Sequence, residues 1–187
     1  MTTRLAAMTA VIGLLQACAA APDKPVELLD ERTGVSVAGL ERPIELVREE
    51  ILTVGRRSTI ALLGPVEWDR MGEISYGLWL HLSPGNDRPL ADIHAPATVT
   101  LVLADGLVPL VPMVTPPLGS LPYKGSEPWG QTAYFELTPA LLKRIAATPQ
   151  LSLRCRAADG AAVEFRSYGD SRAALGAYLR ERGLTAD

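Results

Sequence analysis

The sequence predicts a mainly β protein, an antiparallel β-sandwich with two short helices in the C-terminal half of the chain. Three observations point there. The 15 prolines and 16 glycines among 187 residues cut the chain into many short segments, as turns between strands do and a helix bundle does not. Three stretches read as hairpins, turning at Arg70-Met71-Gly72, at Asp105-Gly106 and at Ala158 to Gly160. Only two segments, both late, combine a capping residue with apolar spacing of period 3.6. An α+β fold with both helices on one sheet face is the alternative. At 48% hydrophobic and 21% charged, the chain can bury one sizeable core and is too short for two large domains.

The elements follow in chain order. Arg4 gives a basic start, and Leu5 to Leu15 is an uncharged apolar run. As helix that run spans about 16 Å against a bilayer core of about 30 Å, so it reads as a signal peptide and not a membrane span. It ends in Leu15-Gln16-Ala17-Cys18. This ending resembles the lipobox of bacterial lipoproteins, with Leu three residues before a Cys and Ala directly before it. The resemblance implies cleavage before Cys18, diacylglycerol on its thiol, and acylation of the new amino group. Ala19, in place of Asp, further implies release to the periplasmic face of the outer membrane. An ordinary secretory signal cut after Ala19 or Ala21 is the other reading, although Pro22 would follow the second of those cuts. The expected organisation is a signal peptide over 1–17, the lipidated cysteine and a polar tether over 18–27, and a single β-rich periplasmic domain over 28–187.

Beyond the tether, "TGVSVAGLERPIELVREE" suggests one or two strands with Val35 and Val37 facing one way and a break near Gly39 and Pro43. "STIALLGPVEWDRMGEISYGLWLHLS" then predicts a hairpin closed by a three-residue loop, Arg70 to Gly72. That register sets Trp68 opposite Ile74, Val66 opposite Tyr76 and Gly64 opposite Leu78 on one face. The other face receives Leu63 with Trp79 and Ala61 with His81. "ATVTLVLADGLVPLVP" predicts a second hairpin. Both its faces are apolar, which places it near the sheet centre or under a cover, and Pro109 leaves its pairing open. "QTAYFEL" reads as a strand. "TPALLKRIAAT" reads as a helix capped by Thr138, with Pro139 at its first position and Leu141, Leu142 and Ile145 inward. For "LSLRCRAADGAAVEFRS" a three-residue loop, Ala158 to Gly160, pairs Cys155 with Val163, Leu153 with Phe165 and Arg154 with Glu164, which keeps the faces unmixed. Asp170 caps a last helix ended by Gly183, with Leu175 and Leu179 inward.

Chemistry is sparse in this sequence. Its 18 Lys and Arg against 21 Asp and Glu give a net charge of −3 without runs, which offers nucleic acid no electrostatic footprint. Cys155 points into the expected core, where a thiol is inert. His81 and His94 have no third ligand at metal spacing, no nucleophile elbow completes a triad, and no glycine-rich phosphate loop runs from a strand into a helix. No catalytic residue, metal or cofactor is therefore expected, and the protein is not read as an enzyme. Two candidate partner surfaces stand out. One is the loop "TPPLGSLPYKGSEPWGQ" with Tyr123 and Trp129, either a binding loop or a flap packed over the end of the sandwich. The other is an outward apolar pair, Leu63 and Trp79, flanked by Ala61 and His81, either a partner surface or a sheet face covered by a helix.

As a whole the chain also resembles proteobacterial periplasmic lipoproteins that carry a "DE-x-TG" start, here Asp30 to Gly34, and a "LGPVE" hairpin, here Leu63 to Glu67. That resemblance implies location, and supplies neither activity nor ligand. The expected function is a membrane-anchored, non-catalytic envelope lipoprotein, held by its N-terminal lipid and binding an envelope protein or glycan. A periplasmic carrier of a lipid or other apolar ligand is the alternative, and a cell-wall hydrolase ranks last.

Overall fold

The computed structural model describes residues 24–51, 53–83, 89–116 and 122–185. Ten strands and two helices succeed one another: β1 (Pro25–Asp30), β2 (Val35–Leu40), β3 (Ile44–Ile51), β4 (Arg56–Arg70), β5 (Glu73–Leu82), β6 (Val99–Leu103), β7 (Gly106–Pro109), β8 (Gln131–Glu136), α1 (Pro139–Ala147), β9 (Ser152–Arg156), β10 (Ala162–Ser167) and α2 (Arg172–Glu181). Every pairing is antiparallel, as short turn-linked strands require. The fold is the mainly β, sandwich-like architecture the sequence predicts, with both helices in the C-terminal half.

The 15-residue strand β4 organises the sheet. One of its edges holds β3 along Arg56–Leu63 and β2 along Val66–Asp69, and the other holds β5 along Ala61–Arg70. From β3 the sheet continues through β10, β9, β6 and β7, while β8 lies outside β5 and β1 outside β2. The extended chain after β7 then links β6 to β8. Leu110 N–H donates to Val99 O on β6, while Glu136 N–H on β8 donates to Val111 O and Met113 N–H donates to Tyr134 O. The sheet thus curls around one core, which includes Leu46, Leu63, Leu80, Leu101, Phe135, Leu153 and Phe165. Helix α2 covers β1 and β2 and packs on α1.

Several expectations hold at atomic detail. Cys155 pairs with Val163, Arg154 with Glu164 and Leu153 with Phe165. The Thr138 side chain accepts from Leu141 N–H at the start of α1, where Pro139 needs no partner, and Leu142 and Ile145 are buried. In α2, Leu175 and Leu179 face inward with Tyr178, and Gly183 ends the helix at φ +65°. The cap differs, since Ser171 holds the N-cap position and Asp170 Oδ1 accepts from Arg172 N–H at 2.9 Å.

Three expectations are corrected. The β4–β5 hairpin closes through a two-residue turn, Met71-Gly72, and not through a three-residue loop. Both turn residues are left-handed, at φ 56° and 90°, which gives the primed turn whose twist suits a hairpin, and Asp69 Oδ1 accepts from Gly72 N–H at 2.7 Å. Arg70 therefore pairs with Glu73, Trp68 with Ser75, Gly64 with Trp79 and Leu63 with Leu80. This one-residue slip turns every β5 side chain to the other face. The second hairpin turns at Ala104-Asp105, with Leu103 opposite Gly106. Its β7 is an exposed edge, not a central strand, and there Pro109 forfeits no sheet hydrogen bond. Finally, β1 takes up Pro25, Val26 and Glu27, which the sequence reading put in the tether.

Candidate functional site

Register decides what happens to the predicted partner residues. Trp79 and His81 lie on the same face as Gly64, and both are only 2% exposed, so the outward patch of Leu63 and Trp79 does not exist. Instead the loop 122–130 covers that face. Tyr123 stacks on Trp79 at 5.1 Å between ring centroids, and Trp79 stacks on His81 at 5.9 Å. The Tyr123 hydroxyl donates to Pro65 O at 2.8 Å and accepts from Leu40 N–H at 2.7 Å, which stitches the loop to β2 and β4. Two glycines make room for the ring: a Cβ on Gly64 would stand 2.4 Å from Tyr123 Cζ, and one on Gly39 would stand 2.7 Å from its Oη. Burial pushes the Tyr123 phenol far above its ordinary value.

His81 is enclosed in the same manner. Its Nδ1 lies 2.9 Å from Thr132 Oγ1, and a Cβ on Gly125 or Gly130 would collide with its Cε1. Burial lowers its pKa, against the opposing charge of Glu127, and so favours the neutral ring. Trp79, His81 and Tyr123 thus form one buried ring stack. The flap reading of the loop accounts for Tyr123, whereas Trp129, at 69% exposure, stands free of the stack. Trp129→Ala should accordingly shift stability by no more than about 0.5 kcal/mol, read from urea unfolding.

Cys155 is 1% exposed and its thiol is pushed up to about 12 by burial. The native protein at pH 8 should leave this thiol unlabelled by iodoacetamide, and urea should expose it. Labelling of the folded chain at the rate of a free thiol would contradict its placement. Cys18 lies outside the described residues. Among the described residues, no group of three or more His, Cys, Asp and Glu could hold a metal ion.

A site that sequence reasoning missed opens at the end of the sheet where two turns meet. Because β2 runs antiparallel to β4, with Ser36 opposite Asp69, the β1–β2 turn falls beside the β4–β5 turn. Between them runs a groove of about 660 Å³ lined by Arg32, Thr33 and Val35 from the first turn, Trp68, Arg70, Glu73 and Ser75 from the second hairpin, and Thr115 and Pro116. That volume lies within the range of small-ligand sites.

Each turn uses its own carboxylate internally. Asp30 Oδ1 accepts from Arg32 N–H at 3.0 Å and Thr33 N–H at 3.3 Å, as Asp69 does from Gly72 N–H. The neighbouring guanidiniums of Arg32 and Arg70 have no ion pair among the described residues. Two of the lining residues, Trp68 and Thr33, also hold buried groups, Nε1 and Oγ1, without a hydrogen-bond partner among the described residues. Such a deficit costs about 1–3 kcal/mol per group. By contrast, in the cleft between β3 and β10 Arg166 already pairs with Glu164 at 3.2 Å and Arg48 with Glu50. The sequence signal for the groove was present in two places, the "DERTG" turn and the Arg70-Met71-Gly72-Glu73 turn, and only the β2–β4 pairing brings them together.

No protein-family model, curated protein or solved structure matches the chain.

Proposed function

We propose that this chain is a lipid-anchored, non-catalytic envelope lipoprotein whose β domain binds a partner in the periplasm. The observation that carries the reading is Leu15-Gln16-Ala17-Cys18 at the close of a short apolar run behind Arg4. Two or more acyl chains, at about 0.8 kcal/mol per buried methylene, hold a protein firmly where one would not.

Geometry adds direction to that reading. From Cys18 to the start of β1 at Pro25 a fully extended chain reaches about 24 Å at most, so the anchored domain stays near the lipid surface. β1 then carries the chain about 17 Å along its own axis to Asp30, where the groove begins. The groove therefore lies at the end of β1 opposite the one to which the tether leads. Its unpaired cations and donors favour a polar partner over carriage of an apolar ligand.

Cys18→Ser should move the protein from the membrane fraction to the soluble fraction of lysed cells. Unchanged membrane association of the Ser variant would contradict the anchor. Crosslinking in intact envelopes should recover a stoichiometric partner, and recovery of tightly held lipid alone would favour the carrier.

A further inference from the structure

We propose that the turn-end groove is a binding site for a small ligand bearing an oxyanion, a sugar acid or a phosphate ester, with Arg32 and Arg70 as its clamp. The inference deepens the binding role proposed above and rests on it only for the ligand's location, not for its chemistry.

Four observations converge on an anion. Arg32 and Arg70 enter one groove from two turns, and neither guanidinium is neutralised by a described carboxylate. Among the described lining residues Glu73 alone is acidic, so cations exceed anions there. In both turns an aspartate oxygen, Asp30 Oδ1 and Asp69 Oδ1, accepts from the turn's own backbone N–H groups, which fixes the turns. Beside them, Trp68 is 1% exposed, and its buried indole N–H and the buried Thr33 hydroxyl have no hydrogen-bond partner among the described residues. Guanidinium forks match the two oxygens of a carboxylate or phosphate, and charge-assisted hydrogen bonds of this kind are roughly twice as strong as neutral ones. An indole N–H can only donate, so the group that satisfies it must accept.

The groove opens at the Asp30 end of β1. The lining also offers the hydroxyl of Ser75 and the apolar surfaces of Val35 and Pro116, suited to the polar rim and apolar face of a sugar ring.

The test is a titration of the full mature chain, followed through the Trp68 indole N–H resonance, which a Trp68→Phe variant assigns. Two probes differ only at C6, a carboxylate in one and a hydroxymethyl in the other: glucuronic acid and glucose. Glucose 6-phosphate supplies the other oxyanion. The sugar acid, the phosphate ester or both should shift the Trp68 resonance and bind at least 10-fold more tightly than the neutral sugar, and whichever anion binds identifies the source. Arg32→Gln and Arg70→Gln should each weaken that binding about 5-fold or more with the thermal midpoint unchanged. Equal binding of the neutral sugar, failure of both anions to move the resonance, or full affinity in the double Gln variant would overturn the proposal. Such a failure would leave the Cys18 fractionation and envelope crosslinking results standing, so the two readings fall separately.

Discussion

Replacing Arg182 with Leu is expected to destabilise the fold by about 3–5 kcal/mol at neutral pH, because it strands a buried carboxylate. Arg182 follows α2 and reaches down to the sheet, where its Nη1 lies 3.4 Å from Glu67 Oε1 and its Nη2 lies 3.2 Å from Glu27 Oε2. The Glu67 side chain is only 8% exposed and that of Arg182 only 14%. Burial raises the Glu67 pKa, and the Arg182 charge and a hydrogen bond from Tyr76 only partly oppose it. A carboxyl whose pKa is raised on folding adds stability below its unfolded pKa and loses it as pH climbs through the folded value. Without Arg182 the folded pKa climbs further, so the penalty of the substitution is largest well above it. Urea titrations at about pH 8 and about pH 5 should therefore give a markedly larger loss at the higher pH. The double variant Arg182→Leu with Glu67→Gln should recover most of the loss, since no charge is then stranded. A loss that is the same at both pH values would mean that Arg182 contributes packing of its stem rather than its charge.

Tyr123→Ala should cost a comparable amount, about 3–5 kcal/mol, by emptying the space over Trp79. The ring is 4% exposed, and its hydroxyl serves a donor on β2 and an acceptor on β4 that no other described side chain serves. Tyr123→Phe separates the two contributions. It keeps the ring and orphans Leu40 N–H and Pro65 O, for about 1–3 kcal/mol. Gly64→Ala should approach the Ala variant in effect, because its new methyl would stand 2.4 Å from Tyr123 Cζ and expel the ring from its seat. A Gly64→Ala protein with the unfolding midpoint of the parent would show that the loop does not lie where it is described.

The residues that report their own surroundings were legible in the sequence. Thr138-Pro139 announces the start of α1, because a cap and a fixed φ act locally, and the β9–β10 register follows from keeping Leu153, Cys155, Val163 and Phe165 on one face. The β4–β5 register was not legible. Apolar residues occupy both faces, Leu62, Val66 and Trp68 on one and Ala61, Leu63 and Pro65 on the other, so burial on two sides removes the alternation that fixes a strand. Nothing but the turn could decide, and Met71 adopts the left-handed conformation that a side chain seldom takes. The partner surfaces inherited that slip. Trp79 and His81 were read as outward on it, and they are walled in by Tyr123, Gly125 and Gly130. The groove is a product of long-range pairing between β2 and β4, which brings Arg32 and Arg70 to one place across 38 residues of chain.

Both the ring stack and the groove depend on Met71-Gly72 closing the β4–β5 hairpin and on the 122–130 loop sealing the face that this register creates. Nuclear Overhauser contacts between the Tyr123 ring and the Gly64 α-protons test that claim most directly. We expect strong contacts from the ring to Gly64 and Gly39, together with cross-strand contacts pairing Gly64 with Trp79. Cross-strand contacts pairing Leu63 with Trp79, with a Tyr123 ring that reaches neither glycine, would contradict the account.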